Sequence, residues 1–147
     1  MREDDEQRLL LNWAAMIAGR YPDVRLLYHI PNEGKRSMAT GGRLKGMGLK
    51  KGVPDLCLPV QRGTYHGLYI EMKRADGGSA TKEQKEWLRA LDAQGYAVTL
   101  CHGWQAAAKE IETYLKLPKG ETEHDRKTNG GAGQAHAGAE ADGSGTA

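Results

Sequence analysis

Three ionic side chains interrupt two short runs that otherwise read as buried strands, and this limits the possible folds more than any other feature of the chain. Val53 to Val60 and Gly67 to Met72 are rich in apolar and β-favouring residues, and the turn-like Gln61-Arg62-Gly63-Thr64-Tyr65-His66 separates them. The pattern predicts a hairpin. Strand side chains alternate faces, so Glu71 and Lys73 point one way while Ile70 and Met72 point the other. Asp55 and Glu71 lie symmetrically about Gly63, and a hairpin centred there sets them opposite each other on one face unless a bulge intervenes. Two carboxylates and an ammonium then share one small patch. Like charges directly opposite each other are destabilising, so the cluster requires a compensating cation, and a divalent metal with oxygen ligands is the natural candidate.

The rest of the chain supplies helices on either side of this hairpin. A first helix is expected from about Glu3 to Ala18, with Leu9, Leu10, Trp13, Met16 and Ile17 as its apolar stripe. Glu6 falls on the stripe side, whereas Glu3, Asp4 and Asp5 suit a helix N-terminus through the macrodipole. Arg25 to Ile30 reads as a strand ended by Pro31-Asn32. Gly34 to Gly52 carries six glycines, too many for a confident regular element, and reads as a partly ordered substrate loop with room for a short helix. Beyond the hairpin, Thr81-Lys82-Glu83-Gln84 matches a capping box and opens a helix to about Gln94, with Trp87, Leu88 and Leu91 on its apolar face. Tyr96 to Cys101 reads as a strand and Trp104 to Leu115 as a final helix, with Ala107, Ala108, Ile111, Tyr114 and Leu115 inward. The strand bearing Glu71, the capped helix and the strand at Tyr96 form a crossover unit with parallel pairing.

Composition sets the remaining limits. In 147 residues the chain supports one domain with a real core. From Pro118 onward there are seven Gly and no Leu, Ile, Val or aromatic residue, so residues 118–147 are expected to form a disordered Gly/Ala-rich tail after a domain of residues 1–117. The first 117 residues hold 18 Lys/Arg against 14 Asp/Glu, only a mildly basic balance. Its distribution matters more: Lys35, Arg36, Arg43, Lys45, Lys50 and Lys51 occupy one stretch without an acid, which suits phosphate contacts. Cys57 and Cys101 fall in expected strands without metal-ligand spacing and read as buried thiols. No apolar run approaches about 18 residues and no signal peptide is evident, so a cytoplasmic protein is expected.

The order Pro54-Asp55, then Glu71-Met72-Lys73 across a hairpin, resembles the PD-(D/E)xK nuclease superfamily. Within it the chain is most similar to the VRR-NUC family, in the short stand-alone form found in phages and bacteria. The resemblance runs from about Glu6 to Leu115, through Ile30-Pro31-Asn32-Glu33-Gly34-Lys35-Arg36, Lys51-Gly52-Val53-Pro54-Asp55-Leu56 and Gln84-Lys85-Glu86-Trp87-Leu88. It implies an α/β fold with a restriction-endonuclease-like core, a mixed sheet flanked by helices in αβββαβα order. It also implies a deoxyribonuclease dependent on Mg²⁺ or Mn²⁺, with Asp55, Glu71 and the backbone carbonyl of Met72 as metal ligands and Glu6 assisting through water. Lys73 would position the nucleophile or stabilise charge on the phosphate, since neighbouring carboxylates favour its charged form over a plain general base. Gln84 would orient the nucleophile or a phosphate oxygen. Stand-alone members are associated with branched DNA, including Holliday junctions, cut by a homodimer. A nucleic-acid-binding module that keeps the fold without the reaction is the competing reading.

Overall fold

The computed structural model describes residues 1–31, 38–120 and 123–129. Within them the elements follow in the order α1 (Glu3–Ile17), a 3-10 turn (Pro22–Leu26), β1 (Tyr28–His29), α2 (Met38–Gly46), β2 (Leu56–Leu58), β3 (Leu68–Lys73), α3 (Lys82–Ala93), β4 (Ala97–His102), α4 (Trp104–Leu115) and α5 (Glu123–Asn129). The four strands form one sheet in the order β1-β2-β3-β4. The first three pair antiparallel, and β4 joins β3 in parallel, as a crossover through α3 requires. This is the mixed α/β architecture expected of the sequence.

Alternation along β3 divides the molecule. Leu68, Ile70 and Met72 join Leu56 and Leu58 of β2 in a buried cluster with Leu10 of α1 and Ile111 of α4. Tyr69, Glu71 and Lys73 therefore face the opposite side, where α3 lies. All five residues expected inward on α4 are buried. On α1 the buried positions are Glu6, Leu10 and Ala14, whereas Leu9 and Met16 are exposed. The stripe is rotated from expectation: α1 packs on α4, and the side it buries carries Leu10 and Ala14 of the core cluster. α3 differs more: Trp87, Leu88 and Leu91 face the sheet, but none is fully buried.

Two segments depart from the sequence reading. The expected strand Arg25 to Ile30 is mostly a 3-10 turn, closed by Val24 N–H donating to the Tyr21 carbonyl and Leu27 N–H to that of Val24. Pro22 at its start has φ preset for a helical turn, and only Tyr28 and His29 remain extended. The expected disorder of the C-terminal tail does not hold for its first residues. Gly63 N–H donates to the Pro118 carbonyl at 2.7 Å, Gly120 N–H donates to Gln61 Oε1 at 2.9 Å, and Glu123–Asn129 is helical. Hydrogen bonding to the hairpin turn orders 118–120 without any apolar residue. Residues 121, 122 and 130–147 lie outside the described residues.

These two bonds give a measurable expectation. A chain ending at Leu117 should unfold at lower urea than one ending at Gly120, by about 1–3 kcal/mol for the removal of two hydrogen bonds at roughly 0.5–1.5 kcal/mol each. Equal midpoints for the two truncations would show that the Pro118 and Gly120 hydrogen bonds carry no stability.

Candidate active site

The hairpin forms in the register that the symmetry about Gly63 requires: Leu56 pairs with Ile70, Cys57 with Tyr69 and Leu58 with Leu68. Continued outward, the same register sets Asp55 opposite Glu71 and Pro54 opposite Met72. Leu56 and Leu58 use their backbone groups toward β3, since the Asp55 carbonyl turns the other way and accepts from Ile30 N–H. Pro54 would be the next partner in this ladder, but it has no N–H to give the Met72 carbonyl. Met72 N–H instead donates to Asp55 Oδ2 at 2.7 Å. The Pro-Asp pair thus does two things at once. Asp55 takes up the Met72 donor, and Pro54 leaves the Met72 acceptor without its ladder partner.

Glu71 is almost wholly buried, as are Asp55 and Lys73. Its Oε1 accepts from Gln84 Nε2 at 2.8 Å and lies 3.7 Å from Lys73 Nζ. Its Oε2 is buried and has no hydrogen-bond donor when the carboxyl is ionised. Burial and the neighbouring Asp55 carboxylate push the Glu71 carboxyl up to about 8, against the opposing pull of Lys73, and the protonated form is also favoured by a hydrogen bond to Asp55. Gln84 reaches Glu71 while completing the capping box of α3. Its side-chain oxygen accepts from Thr81 N–H at 2.9 Å, and its own N–H donates to Thr81 Oγ1 at 3.2 Å. Capping and contact with the acid cluster are therefore performed by one amide, with its oxygen on the cap and its nitrogen on the carboxylate.

Glu6 is placed differently. It is buried, and Oε2 accepts from Trp104 N–H at 2.7 Å. Gly103, the N-cap of α4, has no side chain with which to cap it, so α1 supplies the missing acceptor from across the core. The acid of α1 that approaches Lys73 is Glu3, at 4.0 Å and half exposed. On sequence grounds Glu3 serves the helix dipole alone. The signal that could have found it is its spacing, since it lies one turn before Glu6 on the same side of the helix.

The segment before Asp55 is clamped to α3. Trp87 Nε1–H donates to the Lys51 carbonyl at 3.0 Å, and Lys51 Nζ lies 3.8 Å from Glu83. Gly52 between them has φ +89°, and a Cβ there would come within 2.7 Å of the Glu83 backbone. Only glycine permits this approach, and it fixes Asp55 relative to Gln84. Of the basic residues, Arg43, Lys45, Lys50 and Lys51 are exposed on or after α2, and Lys35 and Arg36 lie outside the described residues. Leu44 and Leu49 turn toward Val53 and Trp87 across an apolar groove of about 450 Å³.

Two neighbouring carboxyl groups, an unpaired buried oxygen and a carbonyl lacking its ladder donor make an oxygen-rich patch suited to a hard divalent cation. Among the described residues no group of three or more His, Cys, Asp and Glu is arranged to hold a metal. A set of two carboxylates and one carbonyl suits an ion that keeps several waters, as Mg²⁺ does.

The raised Glu71 carboxyl makes stability depend on pH in a defined direction. Between about 4.5 and about 8 the folded chain holds a proton at Glu71 that the unfolded chain has released. In chelator, stability should therefore fall as pH rises through this window. Glu71→Gln should flatten that fall and raise stability at pH 8 by about 1–3 kcal/mol, the usual scale for relieving an unsatisfied buried group. Parallel pH profiles of urea unfolding for the two proteins would refute the assignment.

The fold has a match among known structures. No curated protein gives a significant match. A solved structure named "VRR_NUC domain protein" matches with a TM-score of 0.69 and 31% identity, covering 81% of this chain and 92% of that one. The family model described as the VRR-NUC domain matches residues 5–105, a span that contains Glu6, Asp55, Glu71, Lys73 and Gln84 and leaves Glu3 outside. The chain belongs to the VRR-NUC domain family and carries a nuclease-type domain.

Proposed function

We propose that this protein is a metal-dependent DNA endonuclease that hydrolyses phosphodiester bonds, selective for branched DNA such as Holliday junctions and acting as a homodimer. The observation that carries the metal-dependent reading is the buried Oε2 of Glu71, which has no donor once the carboxyl is ionised beside Asp55, next to a Met72 carbonyl that Pro54 cannot serve. Asp55, Glu71 and the Met72 carbonyl would hold Mg²⁺ or Mn²⁺, with Glu6 contributing through water from its place at the start of α4. Bound there, the cation would supply Lewis-acid activation of water and charge relief at the phosphate.

The side chains around this position divide the remaining work. Lys73, held between Glu71 and Glu3, offers an ammonium to a phosphate oxygen or to the attacking water. Gln84 holds the Glu71 carboxylate in one orientation, and its attachment to the Thr81 cap fixes the amide. Arg43, Lys45, Lys50 and Lys51 provide phosphate contacts along the DNA, with Lys35 and Arg36 of the same stretch. A homodimer brings two such sites to one substrate, as paired incision of two strands at a junction requires.

The competing reading, a DNA-binding module without catalysis, is disfavoured by the acids themselves. Binding DNA needs no buried carboxylate pair, and without metal the pair would repel phosphate. Cleavage of matched single-stranded, linear duplex, flap and four-way-junction DNAs, with and without Mg²⁺ or Mn²⁺, separates the two. Asp55→Asn and Glu71→Gln should each abolish divalent-dependent cleavage while the fold persists. Lys73→Met should keep metal affinity and slow single-turnover cleavage by roughly 10²-fold or more. Binding with no cleavage of any substrate in either metal would support the non-catalytic reading.

The basic stretch is tested separately by binding. Changing Lys45, Lys50 and Lys51 to Gln should weaken DNA binding and reduce its salt dependence by roughly 0.9 log unit for each phosphate no longer neutralised. Turnover at saturating DNA should change much less. An unchanged salt slope would move the DNA-binding surface elsewhere.

A further inference from the structure

β4 is an edge strand, and no described residue pairs with its outer side. Ala97 N–H donates to the Gly67 carbonyl at one end, and Gly103 N–H donates to the Lys73 carbonyl at the other. In a parallel ladder alternate residues face the partner, so the odd-numbered residues of β4 bond β3. Val98, Leu100 and His102 therefore aim their N–H and C=O groups at the free edge, and among the described residues these groups have no protein partner. Natural edges are usually blunted by a charge, a proline, a bulge or a covering element. The sequence Ala97-Val98-Thr99-Leu100-Cys101-His102 contains no Lys, acid or Pro, and its pairing with β3 runs through all six residues without a bulge. α3 and α4 each pack against β4, and neither bonds its outward backbone groups. An open groove of about 250 Å³ runs beside Val98 and Thr99, between Asp92 at the end of α3 and Glu110 on α4.

We propose that a second copy of this chain pairs with that edge, antiparallel about a two-fold axis at Leu100, so that two four-stranded sheets become one of eight strands. The proposal rests on the homodimer of the functional reading above and names its surface. Such pairing sets Leu100 opposite Leu100 and Val98 opposite His102, and every outward N–H and C=O of the three residues is used on both copies. It also brings His102 of the second copy toward the end of the groove where Asp92 and Glu110 stand. The same contact shelters the half-buried Tyr96, Val98 and Leu100, beside an α3 that buries none of its own residues. Composition argues against a strand from elsewhere in the chain. Residues 130–147 contain no Val, Ile, Leu or aromatic residue, and residues 32–37 are Asn-Glu-Gly-Lys-Arg-Ser.

Sedimentation equilibrium of the full chain, metal-free and without DNA, over a concentration series tests this. The wild-type chain should form dimers. Leu100→Pro removes only an outward N–H from the ladder, so β3–β4 pairing can persist while the dimer dissociation constant rises at least about 10-fold. Val98→Lys, which blunts the edge by charge, should do the same. Leu100→Cys needs no loss of fold. Opposed residues of a hydrogen-bonded pair sit about 5.5 Å apart at Cα, within disulfide reach, so oxidation should give a reducible covalent dimer. Glu86→Cys, exposed on α3 away from the edge, should give none. A monomeric wild-type chain would overturn both the pairing and the homodimer. A dimer unmoved by Leu100→Pro and Val98→Lys, or one that Leu100→Cys fails to cross-link, would overturn the pairing and leave the homodimer to another surface. Cleavage plays no part in these measurements, so the nuclease reading stands or falls separately.

Discussion

Burying Glu71 beside Asp55 is costly, and much of the surrounding structure is arranged around that cost. A carboxylate out of water and next to another carboxylate resists ionisation, and its carboxyl is raised to about 8 despite Lys73 at 3.7 Å. One oxygen is satisfied by Gln84 and Lys73, and the other has no donor among the described residues once the carboxyl is ionised. A core built only for stability would replace such a pair with apolar residues of similar volume at little or no loss. Retaining it makes sense where a cation completes the group, because a divalent ion removes the repulsion and supplies the missing partner together.

The fold holds this patch still from four directions. β2 brings Asp55 through the hairpin register, and β3 brings Glu71, Met72 and Lys73. α3 brings Gln84 through its own N-cap, and the N-terminal turns of α1 stand close, Glu3 toward Lys73 and Glu6 on the start of α4. Gly52 and Trp87 lock the arm before Asp55 onto α3. A site built from strands and helix ends is held more precisely than one on loops, and metal and phosphate geometry demand that precision. The opposite face of the sheet is an ordinary apolar core, closed by α1 and α4. The division between stability and chemistry follows the alternation of a single strand.

The site is legible in the sequence where one local rule decides it. Period-two alternation places Glu71 and Lys73 together, hairpin symmetry places Asp55 opposite them, and the Thr81-to-Gln84 spacing marks the start of α3. Each is found in the structure as expected, because strand faces and caps are set within a few residues. The first strand is shorter than its sequence suggests because its opening residues, Arg25 and Leu26, complete a helical turn that starts at Pro22. Order at 118–120 escapes the sequence because a backbone bonded to a distant turn leaves no trace in composition. The helical stripe of α1 is correct in kind but rotated, since the packing of α1 on α4 decides which side is buried.

By itself the sequence determined the alternating pattern that separates core from acids, the Pro54 that cannot donate to the ladder, and the cap that starts α3. These depend on side-chain chemistry and neighbours close along the chain. Tertiary structure alone decided that Glu6 caps α4, 98 residues away in sequence, and that Glu3 approaches Lys73. It decided that Gln84 serves its cap and Glu71 at once, that Gly52 admits the close approach of α3, and that β4 ends the sheet with no described residue bonded to its outer groups. Each of these joins elements whose relative position follows from packing over the whole domain, and local propensity carries no information about which distant group will arrive at a given atom.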